Sequence, residues 1–270
     1  MSVRLTASGI IRMSEINVEL GRASDAEISL KDAEDGDYGT LNYSFAGNKS
    51  APHSMSEFYS YIHFPLIQEE DIIEFWDSRY ATTTNWKSVY GNFTNMSVNG
   101  ATYDTGTPIN FAFDGTDDYI KTDDSITLGD KWTIAVWVRH TEDQSVQNYD
   151  RIFGMTSHQF DLAEGVDGKL KFYDGGWNTV DDIEIDEGVW QQITITYNAD
   201  NRTLIIYSEG DQEYIADEGR AIDAKFIWLG SQKYGGENWE GEIAKFVLWD
   251  AELNATRVGQ VFDNDKAYWG

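Results

Sequence analysis

Between Trp132 and Arg139 the side chains alternate in character with a period of two. Ile134, Val136 and Val138 fall on one face, and Thr133, Ala135, Trp137 and Arg139 on the other. That period belongs to a strand with one face against a core; a helix cannot sustain it. The pattern returns at Phe160 and Leu162, at Leu170 and Phe172, and at Ile193, Ile195 and Tyr197. Leu204-Ile-Ile-Tyr207, Phe226-Ile-Trp-Leu229 and Ile243-Ala-Lys-Phe-Val-Leu-Trp249 continue the series. Turn signals separate the runs, among them Val166-Asp-Gly-Lys169 and Asn198-Ala-Asp-Asn-Arg202. No amphipathic helix intervenes, which argues against a parallel βαβ architecture. The spacing predicts a mainly β chain, an antiparallel β-sandwich whose densest strands run from 111 to 270. Only Ala251 to Phe262 has helical spacing, through Leu253, Val258, Val261 and Phe262.

Composition narrows the partners. The 13 Phe, 10 Trp and 15 Tyr are too many for a disordered chain. Twenty basic residues face 47 acidic ones, a formal charge of −27. Such a surface repels phosphate, so neither nucleic acid nor an anionic membrane is an expected partner. It suits divalent cations, and equally simple solubility. There is no cysteine, which excludes disulfides, thiolate metal sites and cysteine nucleophiles. Met1-Ser-Val-Arg-Leu5 is not followed by an apolar run of signal-peptide length, and no stretch has the roughly 20 apolar residues that span a bilayer. A protein made in the cytoplasm, without membrane insertion, is expected.

Phe111-Ala-Phe-Asp-Gly-Thr-Asp-Asp-Tyr-Ile120, followed by the Trp132 strand, resembles the opening strands of the laminin-G-like, concanavalin-type jelly roll. Gly188-Val-Trp-Gln-Gln-Ile-Thr-Ile-Thr-Tyr-Asn198 resembles that family's Trp-centred strand. Ile227-Trp-Leu-Gly230, Trp239-Glu-Gly-Glu-Ile243 and Val247-Leu-Trp-Asp-Ala-Glu-Leu253 resemble its closing strands and terminal helix. One departure is Ala244, where the family usually carries an acidic residue. Ile72-Ile-Glu-Phe-Trp-Asp77, Thr84-Asn-Trp-Lys-Ser88, Asn92-Phe-Thr-Asn95 and Val98-Asn-Gly-Ala-Thr-Tyr103 are similar to the lead-in of such domains in bacteriophage structural proteins. Ile11-Arg-Met-Ser-Glu-Ile-Asn-Val-Glu-Leu-Gly21, Ile28-Ser-Leu-Lys-Asp32 and Ser54-Met-Ser-Glu-Phe-Tyr-Ser-Tyr61 are similar to a small module of phage tail and baseplate-associated proteins. Met-Ser-Glu followed by an apolar residue occurs twice there, a weak repeat that suits short capped helical turns.

The resemblance implies an amino-terminal module at 1–60, a linker at 61–70 and a laminin-G-like sandwich at 71–270. It implies a non-enzymatic virion protein, assembled in the host cytoplasm. Residues 1–60 would hold it to other virion proteins, and the sandwich would display a lectin-like face to host surface carbohydrate. A decoration or spacer role without glycan binding stays open, as does a flexible amino-terminal extension. Tail proteins of this kind are often trimers, which makes a homo-oligomer an expectation, although no heptad repeat supports one.

Three sets of residues could carry chemistry. Asp114, Asp117 and Asp118, with Asp123, Asp124 and Asn110 nearby, offer oxygens on a turn-rich segment, as calcium requires. Their alternative use is to brace a tight turn through backbone amides. Tyr173-Asp-Gly-Gly-Trp-Asn178 and Gln232-Lys-Tyr-Gly-Gly-Glu-Asn-Trp239 combine aromatics with amides and carboxylates. Tyr173, Trp177, Asn178, Tyr234, Asn238 and Trp239 are therefore candidate glycan ligands, since sugars present apolar faces ringed by hydroxyls. Trp177 and Trp239 could instead plug the core. Glu184-Ile-Asp-Glu187 approaches the Glu-x-Asp-x-x-Glu spacing of glucanases on this fold, but the third position is Val189. It reads as a decoy. His53, His140 and His158, with His63, lack any metal-binding or catalytic spacing.

Overall fold

The computed structural model describes residues 12–19, 23, 25–35, 37, 51–58, 71–91, 94–141, 149–156, 160–216, 222–231 and 237–269. The chain forms two compact units, Met1–Ile67 and Gln68–Gly270.

In the first unit, α1 (Met13–Glu19) and α2 (Leu30–Asp35) precede a 3-10 turn at Met55–Phe58. Both Met-Ser-Glu copies begin helical turns. In each, the glutamate closes back on the backbone N–H three residues earlier: Glu15 accepts from Arg12 (2.7 Å) and Glu57 from Ser54 (2.9 Å). The capping position is therefore Arg12 in the first copy and Ser54 in the second, not the serine inside the motif.

The second unit starts with β1 (Ile72–Ala81), β2 (Asn85–Gly91), β3 (Met96–Asn99), β4 (Thr102–Asp104), β5 (Asn110–Asp114) and β6 (Tyr119–Thr122). It continues through β7 (Ile126–Leu128), β8 (Lys131–His140), β9 (Tyr149–Met155), β10 (Asp161–Gly165), β11 (Lys169–Tyr173) and β12 (Trp177–Glu184). It ends with β13 (Gln191–Asn198), β14 (Thr203–Ser208), β15 (Asp211–Ala216), β16 (Ile222–Lys225), β17 (Ile227–Leu229), β18 (Glu240–Trp249) and α3 (Ala255–Trp269). Among the described residues, no helix is long and apolar enough to cross a membrane.

Every named strand pairing is antiparallel, as the alternation predicts. Hydrogen bonding runs continuously in the order β12-β11-β10-β9-β17-β6-β3-β2-β1-β18-β8-β13-β14-β15, with β5 added to β18 and β4 to β5. β2 carries the ladder from one layer into the other. The layers face each other, because Phe153 of β9 meets Phe246 of β18 edge-on at 5.3 Å. Trp76, Trp132, Ile134, Val136, Leu162, Phe172, Ile193, Ile195 and Leu248 are buried between them. This is a jelly-roll sandwich.

Two strands exceed the expectation of one buried face. Every residue of β13 is buried, Thr194 and Thr196 included, and β8 is buried from Trp132 to Val138. The cover over the second face is α3. Trp137, Trp190, Ala244 and Trp269 form a small outer cluster with Phe262. Ala244 sits at a bulge in β18 and belongs to this packed layer, where an acidic side chain would be buried against rings. The helix itself differs from the predicted 251–262. Asn254 caps it, accepting from the Arg257 N–H at 3.1 Å, and Leu253 is held by the Thr133 hydroxyl at 3.0 Å. It then continues to Trp269 because Asp265 is anchored on Lys245.

Candidate functional site

β5 ends at Asp114, and the turn to β6 closes on its own carboxylates. Asp118 Oδ2 accepts from the Asp114 N–H at 3.0 Å, and Asp114 Oδ1 from the Thr116 N–H at 2.8 Å. One oxygen from each of Asp114, Asp117 and Asp118 lies within 4.8 Å of the others. Asp118 is buried against Gly100, whose φ of +81° and lack of Cβ admit the carboxylate. Burial raises the Asp118 carboxyl; the Asp114 amide opposes this, and the charges of Asp114 and Asp117 add to it. Asp114 and Asp118 thus brace the turn, and with Asp117 three carboxylates still converge. Asp123 is elsewhere engaged, accepting from the Ser97 hydroxyl at 2.5 Å. Asn110 is buried and donates to the Pro108 carbonyl at 3.1 Å.

The β11–β12 hairpin places Tyr173 opposite Trp177. Trp177 is half-buried, stacks on Tyr149 at 4.0 Å and 11°, and meets Tyr173 edge-on at 5.6 Å. The Arg151 guanidinium lies 5.1 Å from its ring. Asn178 donates to Asp174 and to the Gly176 carbonyl, each at 3.2 Å. Arg151 is buried and paired with Asp161 and with Glu237, the latter at 2.6 Å. Asn238 forms a bridge with Arg151 and donates to the Thr116 carbonyl in the aspartate turn. The aspartate turn, Asn238, Arg151 and the Trp177 hairpin therefore form one continuous rim.

Trp239 is not part of that surface. It is fully buried, 5.4 Å from the His140 ring, and belongs to the main core. Its candidacy as an exposed sugar platform is corrected; its ring fills the sandwich end. Tyr234 lies outside the described residues. Tyr149 and Arg151 escaped the sequence reading, because their partners lie 10 to 86 residues away.

Beneath the rim are two buried acids, cross-strand neighbours in β9 and β10: Asp150 and Glu164. Burial pushes Glu164 up to about 8, with the charges of Asp150 and Asp167 adding to it. Burial also raises Asp150 to about 6, reinforced by Glu240 and Glu237. His140 Nδ1 is 3.4 Å from Glu164 Oε2, close enough for attraction but not aligned as a hydrogen bond. A sequence signal existed: Glu164 follows Leu162 at a spacing of two and so sits on an apolar face.

Glu184 and Asp186 open elsewhere, into a cleft of about 370 Å³ shared with Asp181, Asp182, Asp211 and Glu213. Its lining includes no aromatic residue on which a sugar could stack.

This architecture is that of the concanavalin-type lectin sandwich. The chain belongs to the laminin-G-like family described as the concanavalin A-like lectin/glucanases superfamily, whose model matches residues 114–259. No curated protein sequence matches it. Among solved structures it is similar to domain 4 of the arabinanase AbnA from Geobacillus stearothermophilus in complex with arabinotriose. That match has 13% identity and TM-score 0.57, covering 71% of this chain and 98% of that one. It is also similar to Trypanosoma rangeli sialidase in complex with sialic acid, at 13% identity and TM-score 0.57, over 74% of this chain and 34% of that one. A third is the binding domain of Paraclostridial Mosquitocidal Protein 1, at 19% identity and TM-score 0.57, over 72% and 52%. At these identities the likeness establishes the fold.

Proposed function

We propose that the sandwich is a non-enzymatic, carbohydrate-binding module whose ligand rests on Trp177. The observation that carries this reading is the ring's setting: half-buried, stiffened by Tyr149 and Tyr173, and bordered by the hydrogen-bonding side chains of Asp174 and Asn178. A fixed aromatic face beside amide and carboxylate groups matches the apolar and hydroxyl faces of a sugar ring. The family and the sugar-bound arabinanase domain support the ligand class. Trp177→Ala is expected to weaken glycan binding about tenfold or more, with the chain still folded by circular dichroism, when wild type and variant are compared on a glycan array and by calorimetry. An equal signal from both would remove Trp177 from the site.

The biological setting we propose is a bacteriophage virion, with residues 1–60 attaching to other particle proteins and the sandwich contacting host surface glycans. It rests on the resemblance of the first 110 residues to phage modules. Deleting residues 1–60 should leave a folded sandwich that no longer enters particles; unchanged incorporation would sink the anchor.

Calcium fits the aspartate turn in part. Asp114, Asp117 and Asp118 supply three oxygens of the six to eight that calcium takes, leaving the rest to carbonyls and water. Its chemistry there would be to neutralise the crowded carboxylates and stiffen the rim next to Asn238. Calorimetric titration is expected to give a calcium signal that Asp117→Asn abolishes; no heat with the wild-type chain would rule the ion out.

A further inference from the structure

Outside the sandwich, one side-chain cluster stands apart. The described apolar residues buried in the first unit are Ile16, Ala33 and Phe58. Among them sits a fully buried carboxylate, Glu34 of α2. Its Oε2 meets Nδ1 of His53, and its carboxyl also lies within hydrogen-bonding reach of Glu57. Glu57 brings a second carboxylate. One ligand atom each from Glu34, His53 and Glu57 lies within 4.8 Å of the other two. Two carboxylates and one imidazole therefore converge on a single point.

Local geometry explains how Glu57 arrives there. Ser54 donates its N–H to Glu57 Oε2 at 2.9 Å and accepts from the Ser56 N–H at 3.2 Å, so the glutamate folds back toward His53. The first Met-Ser-Glu copy closes in the same way, but there Glu15 pairs with exposed Arg12 at 3.4 Å. A shared capping device has been joined, in the second copy only, to an imidazole and a buried acid.

We infer that Glu34, His53 and Glu57 bind one divalent transition-metal ion, zinc fitting best, which ties α2 to the Met55–Phe58 turn. Zinc accepts imidazole nitrogen together with carboxylate oxygen, whereas calcium and magnesium take shells of oxygen. Three protein ligands leave a fourth tetrahedral position for water or another donor. The site is independent of glycan binding and of the aspartate turn.

The test uses the full chain, stripped with chelator and titrated with zinc chloride by calorimetry and against a chromophoric competitor. One equivalent should bind with a dissociation constant of about 10 µM or tighter. His53→Gln and Glu57→Gln should each weaken it about tenfold or more, while Asp117→Asn leaves it unchanged. His53 and Glu57 are only partly buried, so both variants should keep the wild-type circular dichroism spectrum. Zinc should also slow proteolysis between residues 30 and 58 of the wild-type chain. Absence of a zinc equivalent on the wild-type chain, full-strength binding by a folded His53→Gln chain, or displacement of zinc by excess calcium would each overturn the assignment.

Discussion

Glu164→Gln is expected to stabilise the protein at pH 9 by about 4 kcal/mol, while changing little near pH 4. The sign follows from proton occupancy. Held near 8 by burial, the folded-state carboxyl keeps its proton over a range where the unfolded chain, near 4.5, has lost it. Folding therefore takes up a proton between those values, and stability falls as pH rises through that window. Above about 8 the folded protein carries the full cost of a buried carboxylate. Asp150, raised to about 6, adds to the decline over the lower part of the window. The groups facing the pair are His140, Asp167, Glu237 and Glu240, of which only histidine can offset the charge. Glutamine keeps the shape and removes the titration. Urea unfolding from pH 4 to 9 should show a steep decline for the wild type and a shallower one for the variant. Parallel curves would mean that Glu164 ionises as freely folded as unfolded.

Asp265→Ala is expected to cost about 3–5 kcal/mol, because it strips the counter-ion from a buried ammonium. Both Asp265 oxygens contact Lys245 Nζ, at 2.7 and 2.6 Å, and both residues are 3% exposed. Asp265 also accepts from the Trp137 indole at 3.3 Å. Lys245 would then lie against the Phe75 ring, 4.7 Å away, within the field of Asp77. Asp77 cannot serve as a full replacement, since it is already bound to Arg79. Burial would raise Asp77, but Arg79 and then Lys245 hold it below the usual carboxylate range. The loss should appear in urea unfolding, with faster proteolysis within α3. Replacing both partners by apolar residues, as in Lys245→Met with Asp265→Leu, should recover most of it. A single-variant cost under about 1 kcal/mol would show that the pair does not anchor the helix.

The strands were legible because alternation is a local signal. Ile134, Val136 and Val138 announce one buried face without reference to the rest of the chain. The burial of Thr194 and Thr196 was not legible, because it depends on a helix more than fifty residues later. That helix ran past Phe262 for the same reason: Asp265 is polar in sequence and becomes buried only against Lys245. At the rim, the glycine-flanked Trp177 hairpin could be read directly. Trp239 could not, since loop composition does not show which way an indole points. Arg151 was invisible because its partners come from β10 and from the segment before β18.

The acidic cleft has a consequence for how copies of this protein coexist. It runs where the two outermost strands, β12 and β15, approach each other without joining. Asp181, Asp182 and Glu184 line one lip, and Asp211 and Glu213 the other. Like charges across the gap oppose closure into a barrel, and they oppose equally the docking of a stray strand from a neighbour. Crowded copies should accordingly resist strand-by-strand aggregation at low ionic strength and lose that protection when salt screens the lips.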